Sequence, residues 1–125
     1  MTETVTLADI EAARDRFDDP AIVRQTPIET SRSLSAMSGG DVHLKMEHLQ
    51  RTGSFKTRGA YNKLKQEAEA GSDNHVVAAS AGNHAQGVAL AATTVGLEST
   101  IVMPENAPQA KIDATRSYGA TVELH

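Results

Sequence analysis

The feature that most restricts the fold lies in the second half of the chain. Between Val76 and Leu124, short apolar runs alternate with helical patterns at close spacing. Val76–Ala79 is a continuous apolar run and Ser80–Asn83 a turn of small residues. Ala85–Val95 reads as a helix with Val88, Ala92 and Val95 on one face. Thr100–Met103 is a second apolar run, stopped by Pro104. Asn106 is placed to cap a further helix that has Pro108 in its first turn and contains Ile112; Gly119 closes it, and Ala120–Leu124 starts another strand. Strands separated by helices of this length need crossovers, so they pair in parallel. Such crossovers are right-handed, and ligands gather beyond the C-terminal strand ends. Ser80–His84 occupies a place of that kind. The expected fold class is α/β, an open parallel sheet with flanking helices.

Upstream the pattern is less regular. Thr6 is a candidate cap for a helix with Asp9 in its first turn and Leu7, Ile10 and Phe17 at helical spacing, ended by Asp19-Pro20. Pro27 disfavours helix at Thr26, so the stretch around Arg24–Ile28 reads as extended. Ser31 is expected to cap a short helix with Leu34 and Met37 inward, closed by Gly39-Gly40. Val42, Leu44 and Met46 alternate with polar residues, as in a half-buried strand. After the polar turn Gln50–Gly53, Ser54 is placed to cap a helix from about Phe55 to Ala70, which the Gly71–Asn74 cluster stops.

Composition excludes several function classes. No apolar run approaches the roughly 18–20 residues of a membrane span. The acidic start has no basic region followed by an apolar stretch, so it does not read as a secretory signal, and a cytoplasmic location is the default expectation. The chain has no cysteine, which rules out a disulfide scaffold, a thiolate zinc site and a cysteine nucleophile. The net charge of −4 arises entirely within the first twenty residues, and no basic patch interleaved with aromatics invites nucleic acid. Aromatics are 3% and Trp is absent, so a core has to be built from Ala, Val, Leu, Ile and Met. Standing alone, so small an Ala-rich domain is expected to be marginal.

Two segments carry chemistry. In Gly53–Gly59, Lys56 falls in the first turn of its helix, where the positive end of the helix dipole disfavours an ammonium. A neutral amine is the form that makes an imine with an aldehyde. The residues alone leave open whether Lys56 is such an amine or a first-turn lysine whose stem reaches solvent. The segment lacks the Gly-Lys-Ser/Thr ending of a P-loop. In Ser80–Gly87, a strand-to-helix turn exposes backbone N–H groups, with Ser80 and Asn83 adding side-chain donors, and that suits a carboxylate or a phosphate. An ordinary connection with a capping serine is the plainer alternative. His84 has no partner at metal-ligand spacing, and Glu47-His48 reads as a strand-end pair without metal chemistry.

Taken together, the two segments resemble a known family. LKMEHLQRTGSFKTRGAYNKL (Leu44–Leu64) is similar to the cofactor-lysine motif of the fold type II pyridoxal-phosphate enzymes, and SAGNHAQGVALAA (Ser80–Ala92) to their substrate loop. MPENAPQAKIDATRSYGATVEL (Met103–Leu124) and Thr26-Pro27-Ile28 continue the likeness, which lies nearest the threonine dehydratase group and covers nearly the whole chain beyond about Leu7. The resemblance implies pyridoxal 5'-phosphate as cofactor. It also implies that Lys56 forms the imine with that cofactor and moves the substrate α-proton. Phe55 would pack beside the cofactor ring and Asn83 would hydrogen-bond its 3'-oxygen. Ser80, Gly82, Asn83 and His84 would hold the substrate carboxylate. The implied reaction is α,β-elimination from L-threonine to 2-oxobutanoate and ammonia, with serine secondary, in amino-acid metabolism such as isoleucine biosynthesis. Serine racemases carry a second serine where this chain has Ala81, so the resemblance favours dehydration.

Family members are much longer, and two of their parts have no counterpart here: a glycine-rich phosphate loop and a polar group facing the pyridine nitrogen. The only Gly-Gly pair is Gly39-Gly40. The chain is therefore expected to be an N-terminal fragment that binds the cofactor weakly and lacks useful activity alone, its full-length form a homo-oligomer. Residues 1–50 would belong to an incomplete large cofactor domain and 51–125 would begin the small α/β domain. The alternatives are another fold type II enzyme (serine dehydratase, serine racemase or threonine synthase) and a non-catalytic partner or relic.

Overall fold

A computed structural model describes residues 4–125. Residues 1–3, the start of the expected N-terminal unit, lie outside the described residues.

Helix α1 (Leu7–Asp15) starts as its sequence predicts. Thr6 Oγ1 accepts from the Asp9 amide at 3.3 Å and Asp9 Oδ2 accepts from the Thr6 amide at 2.8 Å. This reciprocal capping box satisfies donors that a helix start leaves open. The hydrogen bond from the Thr6 side chain, and then that from its backbone, hold the Asp9 carboxyl below its ordinary value. Leu7 and Ile10 nevertheless stay exposed, and α1 buries no residue.

Strands β1 (Ile28–Thr30) and β2 (His43–Lys45) form an antiparallel ribbon, Ile28 opposite Lys45 and Thr30 opposite His43. Helix α2 (Arg32–Ser38) joins them. Ser31 caps it, accepting from the Leu34 amide at 3.4 Å, and Gly39 closes it at φ 74°. The expectation that Leu34 and Met37 point inward fails: both are exposed, Met37 by 82%. A two-stranded ribbon offers no second layer for a helix to cover, and this ribbon's six strand residues are all exposed. Leu44 thus faces solvent, while Val42 and Met46 are half-buried. Glu47–Leu49 is a single 3-10 turn after the strand.

The second half builds the core. Helix α3 (Lys56–Glu69) buries Thr57, Ala60, Tyr61 and Leu64, one stripe at helical spacing. Phe55, and not Ser54, takes its N-cap position, without a side-chain cap; Ser54 Oγ instead accepts from the Lys56 amide at 3.4 Å. Strands β3 (Val76–Ala79), β4 (Ser99–Met103) and β5 (Thr121–Leu124) lie in the order β3-β4-β5, all parallel. Val76 is opposite Ser99, and Met103 opposite Leu124. The crossovers are helix α4 (Asn83–Val95) and helix α5 (Gln109–Ser117). α4 begins two residues earlier than the pattern suggests. α5 begins after Pro108, which sits at the N-cap with an extended ψ of 129°, and Asn106 supplies no cap.

All eight residues from Ala85 to Ala92 are buried. A helix buried on every side lies between two layers, here the sheet and α3. Its alanines contribute little area, but they permit close approach. Ile101 and Met103 of the central strand fill the space behind it. Ile22 and Val23 join this same core from the N-terminal half.

Candidate active site

The packing of α3 on α4 brings the two chemistry-bearing segments together. Gly87, one helical turn beyond Asn83, is the point of approach. A Cβ there would lie 3.2 Å from the carbonyl carbon and oxygen of Lys56 and 3.3 Å from the Thr57 amide nitrogen. The glycine lets α4 rest against the peptide that follows Lys56. The start of α4, with Ser80–His84 before and within its first turn, is thereby tied to the start of α3.

Lys56 occupies the first position of α3 with its side chain exposed. Its Nζ lies 5.4 Å from the centroid of the Phe55 ring, which is itself 60% exposed. An open aromatic face beside an accessible amine can receive a planar ligand. The backbone beneath is fixed: Thr57 is fully buried and its hydroxyl lies 2.6 Å from that of Thr52, also buried.

At the other motif, Ser80 extends the sheet by donating its amide to the Val102 carbonyl at 3.1 Å. Ser80 Oγ accepts from the Gly82 amide at 3.2 Å. Gly82 holds the N-cap position of α4 with no side-chain cap. A Cβ on Gly82 would meet nothing within 4 Å, so the turn faces open space. An uncapped helix start leaves backbone donors free and carries positive partial charge, which favours an anion. Asn83 and His84 stand exposed in its first turn.

A third set of residues escapes sequence reading. Glu47 accepts from Arg58 Nε at 2.7 Å and Nη2 at 2.9 Å, and from Thr26 Oγ1 at 2.5 Å. The Arg58 guanidinium, with help from Thr26 and Gln50 and against the cost of burial, holds the Glu47 carboxyl down to about 2. Glu47 is thus the acid of an ion pair with α3, where the sequence suggested only a strand-end pair. Eleven residues separate it from Arg58 and twenty-one from Thr26, and no periodicity marks such distances.

The parallel α/β layer thus sets an exposed lysine and an exposed aromatic ring at the start of the helix that packs on α4, whose own start is uncapped and fronted by glycine. The comparisons with known proteins narrow this. The family signature described as "Pyridoxal-phosphate dependent enzyme" matches residues 21–125, and the chain belongs to that family. It is 52% identical over 120 residues to the L-threonine ammonia-lyase of Thermotoga maritima, covering 96% of this chain and 29% of that protein. It is 53% identical over 117 residues to an L-threo-3-hydroxyaspartate ammonia-lyase of Pseudomonas sp., covering 94% and 36%. The solved serine racemase of Dictyostelium discoideum superposes with a TM-score of 0.84 at 38% identity, over 98% of this chain and 40% of that one. The fold is that of the fold type II pyridoxal-phosphate enzymes, threonine deaminases among them. The chain spans about a third of the length of the relatives it matches.

The residues present fit the family's cofactor. An aldehyde needs a reachable amine and a pyridine ring needs a flat surface, and Lys56 and Phe55 offer these. The free N–H donors at the start of α4 are of the kind a substrate carboxylate needs. Gly39-Gly40 closes α2 and takes no part.

Proposed function

We propose that these residues form part of a pyridoxal-phosphate-dependent ammonia-lyase that converts L-threonine to 2-oxobutanoate and ammonia. One observation carries the reading: α4 packs through Gly87 on the Lys56 peptide, which supports placing the lysine-bearing turn and the Ser80–His84 turn in one site. Lys56 would hold the cofactor, Phe55 would lie beside its ring, and Asn83 would hydrogen-bond its 3'-oxygen. Ser80, Gly82, Asn83 and His84 would hold the substrate carboxylate through hydroxyl, amide and backbone donors. When bound, the cofactor supplies an electron sink that makes the substrate α-proton removable.

Lys56 Nζ would take that proton as general base, its turn held by Thr52 and by Gly87 of α4. That proton would pass from Lys56 to the departing β-hydroxyl, which leaves as water; the enamine released would tautomerise to an imine, whose hydrolysis gives 2-oxobutanoate and ammonia. Ala81 presents a methyl group and no hydroxyl, so it supplies no second acid–base group for racemisation. The identity to the Thermotoga ammonia-lyase supports threonine; the similar identity to the Pseudomonas enzyme makes threo-3-hydroxyaspartate the competing substrate to test. The reading includes a cytoplasmic setting, a homo-oligomeric full-length protein and a place in amino-acid metabolism such as isoleucine biosynthesis. It also includes a domain division near residue 50. The wholly exposed β1-β2 ribbon supports that division, although Ile22 and Val23 pack into the core built by α3–β5.

Borohydride reduction after incubation with pyridoxal 5'-phosphate is expected to fix the cofactor on Lys56, as read by peptide mapping, and Lys56→Ala to abolish that adduct. At the length of its relatives, the protein is expected to form 2-oxobutanoate from L-threonine faster than it turns over L-serine, threo-3-hydroxyaspartate or phosphohomoserine. An adduct spread evenly over the lysines would defeat the cofactor assignment. Preference for threo-3-hydroxyaspartate, or racemisation of serine, would defeat the substrate assignment.

A further inference from the structure

The groups around the back of Lys56 converge on one carboxylate. Glu47 receives both Arg58 contacts and the Thr26 hydroxyl, and Gln50 Nε2 lies 3.3 Å from its Oε2. Gln50 is buried and pairs with the backbone of Arg24 in both directions: Nε2 donates to the Arg24 carbonyl, and Oε1 accepts from its amide, each at 2.9 Å. Three chain segments, residues 24–26, 47–50 and the first turn of α3, thus meet at Glu47. A partly buried ion pair contributes little net stability, because desolvation offsets the attraction. What it supplies is a fixed geometry.

That geometry concerns the lysine. Arg58 stands two residues after Lys56, and side chains so spaced leave a helix on different sides. The turn is therefore anchored away from the amine. Thr57, between them, is held by Thr52, and Gly87 supports the following peptide from α4. These contacts hold the backbone of the turn, and the Lys56 side chain stays exposed.

We infer that Glu47 is a positioning residue for Lys56, acting through Arg58 to fix the first turn of α3 against residues 24–26 and 47–50. The inference rests on the cofactor reading above. Displacing a reacting group by about 1 Å can cost on the order of a hundredfold in rate, so the anchor matters more for the amine's reach than for the fold.

The test uses the protein at the length of its relatives and two readouts. The first is the ratio of borohydride-trapped pyridoxal 5'-phosphate on Lys56 to that on exposed Lys63. The second is amide hydrogen exchange without cofactor. Glu47→Gln is expected to lower the ratio by on the order of tenfold, and Glu47→Asp to restore part of it. Exchange is expected to quicken across residues 55–58 and stay unchanged across 88–92 of α4. An unchanged ratio in Glu47→Gln overturns the inference and leaves the cofactor reading standing. Exchange that rises equally in α4 also overturns it, since the role would then be structural alone. If the wild-type chain shows no preference for Lys56, the cofactor reading fails and the inference with it. Should Glu47→Gln not fold, Arg58→Lys removes the two-pronged contact while keeping the charge, and the same outcomes apply.

Discussion

Two of the strand–helix–strand units among the described residues have opposite fates. In β1-α2-β2 the strands return antiparallel, and neither strand nor helix buries a residue. In β3-α4-β4 the strands run parallel and the helix is buried along most of its length. The linking helices explain the difference. α2 has seven residues, three of them serine, with Leu34 and Met37 as its only large apolar side chains. α4 has thirteen residues and carries alanine, valine or leucine on every side. A helix that covers a parallel sheet needs apolar surface toward the sheet and, with α3 outside it, toward a second layer as well. Helical periodicity alone, which both units possess, does not distinguish a core helix from a surface one.

The largest expected effect would test that contrast directly. Ile101→Ala, at a fully buried position of β4, is expected to cost about 2–5 kcal/mol in urea denaturation. Gly119→Ala comes next. Its φ is +97°, and a Cβ would fall 2.4 Å from Thr93 Oγ1, whose hydroxyl donates to the Tyr118 carbonyl at 2.7 Å. The backbone cost of about 1–2 kcal/mol then adds to a displaced hydrogen bond of about 1 kcal/mol. Gly39→Ala, at φ +74° with open space around it, should show the backbone cost alone. Equal losses at the two glycines would mean that Thr93 yields freely.

The pH dependence of stability follows. Glu47 titrates at about 2 when folded against an ordinary 4.5. The unfolded chain therefore binds the proton first as pH falls. The stabilisation is complete above about pH 4.5 and is lost as pH falls towards about 2. Urea midpoints measured across that window should fall less steeply in Glu47→Gln than in the wild type. The smallest effect is expected at Met37→Ser, within about 0.5 kcal/mol, as for an exposed position without partners. A loss there approaching that of Ile101→Ala would show that the ribbon and α2 are covered in solution.

Local pattern carried much of the fold. The run Val76–Ala79 coincides with β3, and the capping box at Thr6 and the glycine stop at Gly39 fall where side-chain chemistry places them. The site was legible in the same way: Lys56 in a first turn and Ser80–His84 between a strand and a helix are statements about neighbours in sequence. Burial was less legible. Leu7, Ile10, Leu34 and Met37 have core-like spacing and remain exposed, because periodicity names a face and says nothing about what covers it.

By itself, then, the sequence determined the order of strands and helices in the second half, the parallel pairing that this order requires, and the two candidate segments around Lys56 and Ser80–His84. Only the tertiary structure decided that those segments lie on helices packed against each other. That depends on a missing Cβ at Gly87, which lets α4 reach the Lys56 peptide, and on one carboxylate at Glu47, which gathers Thr26, Gln50 and Arg58 from distant parts of the chain. Contacts of this range follow from packing, where shape and charge meet in space, and leave no period in the sequence to read.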